Sequence, residues 1–209
     1  MPPAGEGTRA RRKHPAGEEA VMRDQLLGNT QPVLSISLDS GESVVAEVGE
    51  FAWMTDSIEM AVGEAPRLAV YTAIGEPGVV AFASKRPGCI LSVDVGPGQE
   101  GHLVRASCFL ACTPGVQASP GDHGLALCRI GGSGRAWVEL PGDVVRRELT
   151  AGQSLRAHPR HIGMVDATVA IQVAMVHGTP GHDAYPCVVL SGPGAVWLQS
   201  MASQSEAGL

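Results

Sequence analysis

The chain has little charge, little lysine, few aromatics and no long apolar run. Only 17% of its 209 residues are charged, below the typical quarter. Its lysines are Lys13 and Lys85. Neither follows a glycine-rich turn or precedes Ser or Thr, which excludes a phosphate loop. No run reaches the roughly 18 apolar residues of a membrane helix. The nearest, 167–182, is broken by Gln172, His177, Gly178 and Pro180. The five cysteines, Cys89, Cys108, Cys112, Cys128 and Cys187, include no CxxC pair. Their count is odd, and no apolar signal segment precedes them. Free, mostly packed thiols in a reducing cytosol are expected. Cys108 and Cys112 share a face if their segment is a strand.

Catalytic patterns are also missing. Gly131-Gly132-Ser133-Gly134-Arg135 carries Arg where a nucleophile elbow needs its last glycine. That cluster reads as a hairpin turn. No convincing helix supports a dinucleotide fold. His158, His161, His177, His182 and Asp183 crowd the last third, but no His-x-His spacing puts two ligands on one strand face. Glu42 and Glu47 face oppositely in a regular strand and read as a solvated edge or turn. Only Trp137 among eight aromatics has a close basic neighbour, Arg135, so no nucleic-acid stacking platform is legible. The aromatics are expected in the core or at a subunit interface. Residues 1–28 carry a net +1 and the other 181 a net −7. Such an acidic body disfavours general nucleic-acid binding.

What the chain does have is 27 glycines and 15 prolines punctuating short β-branched runs. Val33-Leu34-Ser35-Ile36-Ser37-Leu38 alternates with period two and meets Asp39-Ser40-Gly41. This texture continues to Gln199 and predicts an all-β body over 29–201. Residues 1–28 read as a flexible basic tail with a short helix around Glu18–Leu27, and 202–209 as a loose end. Three segments share a strand–glycine turn–strand plan, centred on Gly41, Gly98 and Gly152, which are 57 and 54 residues apart. Gly78, Gly134 and Gly194 each precede a strand with an aromatic: Phe82, Trp137 or Trp197. The expected architecture is therefore tandem β-sandwich, double-stranded-β-helix-like units in about three repeats with a pseudo-threefold arrangement.

Four motifs carry a family resemblance. Gly41-Glu42-Ser43-Val44-Val45-Ala46-Glu47-Val48-Gly49 with Trp53-Met54 resembles a GE-x-V-x-x-E-x-G…M signature. Pro87-Gly88-Cys89-Ile90 resembles a PG-x-I turn. Gly132-Ser133-Gly134 with Glu148-Leu149 and Gly152-Gln153 is similar to GxG…EL-x-x-G. Gly192-Pro193-Gly194-Ala195-Val196-Trp197-Leu198-Gln199-Ser200 resembles GPG-x-V-W-L-Q-S. Together they resemble the family named for altered inheritance of mitochondria, the twenty-fourth of its series, over about 33–201. The usual Gly-Gly pair after the first signature is replaced by Ala61-Val62-Gly63-Glu64. The resemblance implies a fold like the tryptophan RNA-binding attenuation protein, frequent oligomers, and mitochondrial inner-membrane organisation in eukaryotic members. It carries over no catalytic residues.

The functional expectation is a non-enzymatic structural or interaction protein. It is expected to be cytoplasmic and homo-oligomeric, with no cofactor or metal and an unidentified protein partner. One alternative is a small-ligand or membrane-surface module using Arg9-Ala10-Arg11-Arg12-Lys13. Another is a cupin-like metalloenzyme using the late histidines.

Overall fold

The computed structural model describes residues 22–62, 68–121, 125–176 and 184–202. The described residues form strands and three short 3-10 turns, with no α-helix. The first strand, β1 (Arg23–Leu27), pairs antiparallel with β2 (Val33–Leu38). The described part of the expected helix is therefore extended. Leu26 and Leu27 meet Leu34 and Val33 across a ladder that supplies the backbone partners a helix would have supplied internally. Residues 1–21 lie outside the described part.

After β1 one order of elements occurs three times. The first set is β2, β3 (Ser43–Glu47), the turn Val48–Glu50, β4 (Phe51–Met54), β5 (Ile58–Val62), β6 (Leu68–Ala73) and β7 (Gly78–Ala83). The second is β8 (Gly88–Val95), β9 (His102–Arg105), the turn Ala106–Cys108, β10 (Phe109–Cys112), β11 (Val116–Pro120), β12 (Leu127–Gly132) and β13 (Gly134–Pro141). The third is β14 (Val144–Leu149), β15 (Ser154–Ala157), the turn Pro159–His161, β16 (Ile162–Asp166), β17 (Ala170–Val176), β18 (Tyr185–Ser191) and β19 (Gly194–Gln199). The third strand of each set carries a bulge at the same place against the sixth, between Phe51 and Trp53, Phe109 and Ala111, and Ile162 and Met164.

Sets join edge to edge. β3 pairs with β10, and β9 with β16. The resulting sheets are β1-β2-β7-β4, β5-β6-β3-β10-β13-β8, β11-β12-β9-β16-β19-β14 and β15-β18-β17. They pack as successive layers. The first core, with Leu34, Ile36, Phe82, Tyr71 and Trp137, lies between the first two sheets. The second, with Val93, Phe109, Val138, Val104 and Met164, lies between the middle two. The third, with Leu103, Ile162, Val196, Val188 and Leu190, lies between the last two. Strand alternation feeds both faces of a middle sheet, as Trp137 enters the first core and Ala136 and Val138 the second.

Glycine acts here in two ways. Gly41, Gly98 and Gly152 sit between the first and second strands of their sets with φ of +87°, +77° and +83° and open space around them. Only their backbone conformation calls for glycine. Gly78, Gly134 and Gly194 open the sixth strands, and a Cβ on Gly134 would collide with the Thr113 side chain.

Candidate functional site

Two clusters of charged groups gather where the first set meets the second. An open cleft of about 660 Å³ lies there, lined by Met22, Gly41, Glu42, Asp94, Gly134 and Arg135 among others. Arg135 sits beside the glycine that opens β13, on a strand paired with β8, so it faces Asp94 in register. Its Nε donates to Asp94 Oδ1 at 2.7 Å and its Nη2 to Oδ2 at 3.2 Å. Its Nη1 donates to Asp24 Oδ1 at 3.1 Å. The other Asp24 oxygen accepts from Trp137 Nε1 at 2.9 Å. The Arg135 hydrogen bonds hold the Asp94 carboxyl below its usual range, against a smaller opposing effect of burial. The cleft wall is thus ionised and internally paired.

A second cluster lies deeper. Glu139 is 3% exposed, on β13. Its Oε2 accepts from the Lys85 backbone N–H at 2.8 Å and from Ser84 Oγ at 3.1 Å. Lys85 Nζ donates to Glu47 Oε2 at 2.6 Å, and lies 3.5 Å from Glu50 Oε1 and 3.4 Å from Glu139 Oε1. One ammonium serves three carboxylates. Burial disfavours the charged lysine, but Glu47, Glu139 and Glu50 outweigh it, so the Lys85 pKa rises. Glu50 is also pushed up, first by burial, with Glu139 and Glu47 adding repulsion against the attraction of Lys85. No motif singles out Glu139, although it stands as the one charge inside Trp137-Val138-Glu139-Leu140. Lys85 and Glu50 are not singled out either, because neither lies in a periodic strand.

A third arrangement is a dyad. His102 Nδ1 lies 3.0 Å from Asp166 Oδ1, without hydrogen-bond alignment. Asp166 Oδ2 accepts from the Ala195 backbone N–H at 2.7 Å. Burial lowers the His102 pKa more than Asp166 raises it. Trp197 meets the His102 ring edge-on at 5.9 Å and carries the Arg146 guanidinium 5.2 Å above its own ring. A basic partner therefore exists for Trp197 as well, supplied by a neighbouring strand.

The motif residues take up structural places. Glu42 Oε2 accepts from the Asp39 backbone N–H at 2.7 Å and closes the β2–β3 turn. Glu47 is the one that departs from expectation: it is not a solvated edge but is held by Lys85, far from Glu42's role. Gly49 lies in the first 3-10 turn. Pro87 accepts from the Gly142 backbone N–H at 2.8 Å, and Gly88 opens β8. Gly192 N donates to Gln153 O at 3.0 Å beside the Gly152 turn.

The late histidines differ from a strand reading. His158 precedes and His161 ends a 3-10 turn, not a strand, so their rings approach to 6.0 Å. His158 Nδ1 accepts from the Arg160 N–H at 3.3 Å, and His161 Nδ1 pairs with Gln199 O at 2.9 Å. His177, His182 and Asp183 lie outside the described residues. Among the described residues no group of three or more His, Cys, Asp or Glu could hold a metal. Cys108 ends a 3-10 turn rather than sharing a strand with Cys112, yet both reach the second core. Burial pushes both thiols up to about 12, which disfavours reactive thiolate.

These motif residues, spread over all three sets, coincide with one sequence profile. The profile described as Mitochondrial biogenesis AIM24 matches residues 25–201. The chain belongs to that family. No curated protein matches this AIM24 chain. Among solved structures it is similar to protein SPYM3_0169 from Streptococcus pyogenes, with a TM-score of 0.71 and 19% identity over 87% of this chain and 94% of that one. At that identity the likeness speaks for the AIM24 chain's fold alone. The family match begins inside β1, which agrees with this strand being part of the body.

Proposed function

We propose that this AIM24 chain is a non-enzymatic interaction protein that works as an oligomeric β scaffold. One observation carries the reading: the charged groups that could do chemistry are spent on each other. Lys85 is occupied by three carboxylates, Arg135 by Asp94 and Asp24, and Asp166 by His102 and a backbone N–H. A catalytic base must instead reach a substrate proton. Exposed apolar side chains such as Phe51, Trp53, Met60, Val173 and Met175 fit a surface that associates. The free cysteines fit a reducing compartment, and the reading places the protein in the cytoplasm.

A small-ligand role is the second reading, favoured by the cleft of about 660 Å³, a size typical of ligand sites. Native mass spectrometry of the protein, purified without chelator, tests both. The scaffold reading expects a metal-free oligomer of this chain. A single chain carrying a stoichiometric small molecule would overturn it in favour of the ligand reading. A bound metal would overturn both and turn attention to the late histidines.

A further inference from the structure

The layered fold stops short at two places. Each middle sheet is built alike: fourth, fifth and second strands of one set, then third, sixth and first strands of the next. The outer sheets are the two halves of that pattern. β17, β18 and β15 supply the first half, and β4, β7 and β2 the second. β15 is a second strand with no third strand beside it, and β4 is a third strand with no second strand beside it. Among the described residues no ladder, hydrogen bond or ion pair joins β4 to β15. Two complete sheets lie between the outer ones, so the halves stand about 30 Å apart at the usual sheet spacing of about 10 Å.

Tryptophan burial points the same way. Each set pairs a third-strand residue with a sixth-strand residue just after the shared bulge: Trp53 with Ala81, Ala111 with Trp137, and Met164 with Trp197. The chain's three tryptophans all fall in these pairs. Ala111 and Trp137 are 0% exposed and Met164 1%, because the preceding layer covers them. Trp53 is 48% exposed. On the other face of its strand Phe51, which stacks on Tyr71 of the first core, is 37% exposed at the open edge, where the corresponding Phe109 and Ile162 have a second strand beside them and are buried. Among the described residues the first set has no preceding layer.

We infer that a second copy of the chain supplies that layer, with β15 of one copy pairing antiparallel with β4 of the next to complete a six-stranded core of the joined sheet. The internal junctions set the register. Ala111 opposes Ala46 and Cys112 opposes Val45; Met164 opposes Val104 and Val165 opposes Leu103. Ala46 and Val104 each precede their 3-10 turn by two residues, as Ala157 does. Trp53 therefore opposes Ala157, and Met54 opposes Arg156. Trp53 turns towards the third core of the neighbouring copy, as Trp137 turns into the first. Charge agrees, since β15 carries Arg156 and its turn Arg160, while Asp56 follows β4. The contact is heterologous, so repetition gives a closed ring or a filament. This inference rests on the scaffold reading and names its interface.

The full chain carrying both Trp53→Cys and Ala157→Cys, oxidised and run without reductant, tests it. Covalent multiples of the chain are expected from the double variant and from neither single variant. Multiples from one single variant whose disulfide joins position 53 to 53, or 157 to 157, by peptide mapping would mean like edges pair, and a disulfide within one chain would mean self-closure; either overturns the inference. If native mass spectrometry shows an oligomer but the double variant gives no multiples, this seam is wrong and the scaffold reading stands. A single chain by mass with no multiples sinks both. Trp53→Lys provides a second readout without new thiols. Its side chain is exposed within the single chain, so circular dichroism should not change while the assembly falls to single chains. An assembly of unchanged mass in Trp53→Lys would also overturn the inference.

Discussion

At the residue scale, Lys85 is the group on which most depends. Glu139 is nearly closed off from water and Glu47 and Glu50 are largely so. Without the ammonium, three carboxylates would face each other. Lys85→Met should destabilise by about 3 kcal/mol at neutral pH in urea unfolding, since removing one partner strands buried charge. The deficit should shrink on acidification, as Glu50, raised first by burial and then by its carboxylate neighbours, takes up a proton. In the wild type the sign differs by group. Lys85, raised above 10.5, adds stability that is present below that value and lost as pH rises through its folded value. His102, lowered below 6.5, favours the fold above that value, and that contribution is lost as pH falls through its folded value. Imidazole proton shifts followed by NMR should place the His102 midpoint below 6.5. A midpoint above it would mean that Asp166 outweighs burial.

At the element scale, the same fold position bears different chemistry in each set. Glu47 and Arg105 end second strands, and His158 stands at the corresponding place before the third 3-10 turn. Glu47 holds Lys85. Arg105 instead donates from a buried guanidinium to the carbonyls of Ile162, Leu125 and Pro159. The glycines divide equally clearly. Gly98 has φ +77° and nothing within 4 Å, so Gly98→Ala should cost only about 1 kcal/mol of left-handed strain. Gly134 has φ +135° and a Cβ there would run into Thr113, so Gly134→Ala should cost about 3 kcal/mol. Thermal melts of the two variants would rank them. The turn role of Gly98 was legible from its neighbours. The packing role of Gly134 was not, because Thr113 is distant in sequence and arrives beside it through the β10–β13 ladder.

At the scale of the whole molecule, β1 ties the N-terminal segment to the layers. It pairs with Val33–Ser37 of β2, and Asp24 reaches across to Arg135 and Trp137 of the second set. Removing residues 1–21 keeps β1 and its Asp24 contacts in the chain. Removing 1–28 should lower stability by about 2 kcal/mol or more, because charge-assisted hydrogen bonds and a strand are lost together. Calorimetry of the two truncations separates them. A vesicle-binding test of the basic tail therefore belongs to the shorter truncation, where Arg9, Arg11, Arg12 and Lys13 are gone and β1 is kept.

The sequence by itself determined the all-β class, the strand alternation of Val33–Leu38, the turn glycines and the family, because these depend on neighbours along the chain. Period-two patterning and positive φ are local properties, and the closing Gly-Pro-Gly…Trp motif is contiguous. It did not determine that Arg23–Leu27 is a strand, since a polar edge segment has no alternation and takes its conformation from β2. Nor did it determine the Lys85 cluster, whose Glu47, Lys85 and Glu139 come from three strands or their ends and meet only when the first set docks on the second. The 3-10 turn that brings His158 and His161 together breaks the strand geometry assumed for them. Tertiary structure alone decided which third-strand residue is covered: Trp53 is 48% exposed where Ala111 and Met164, at the corresponding places, are 0% and 1%, because those two have a second strand beside them and a preceding sheet above them.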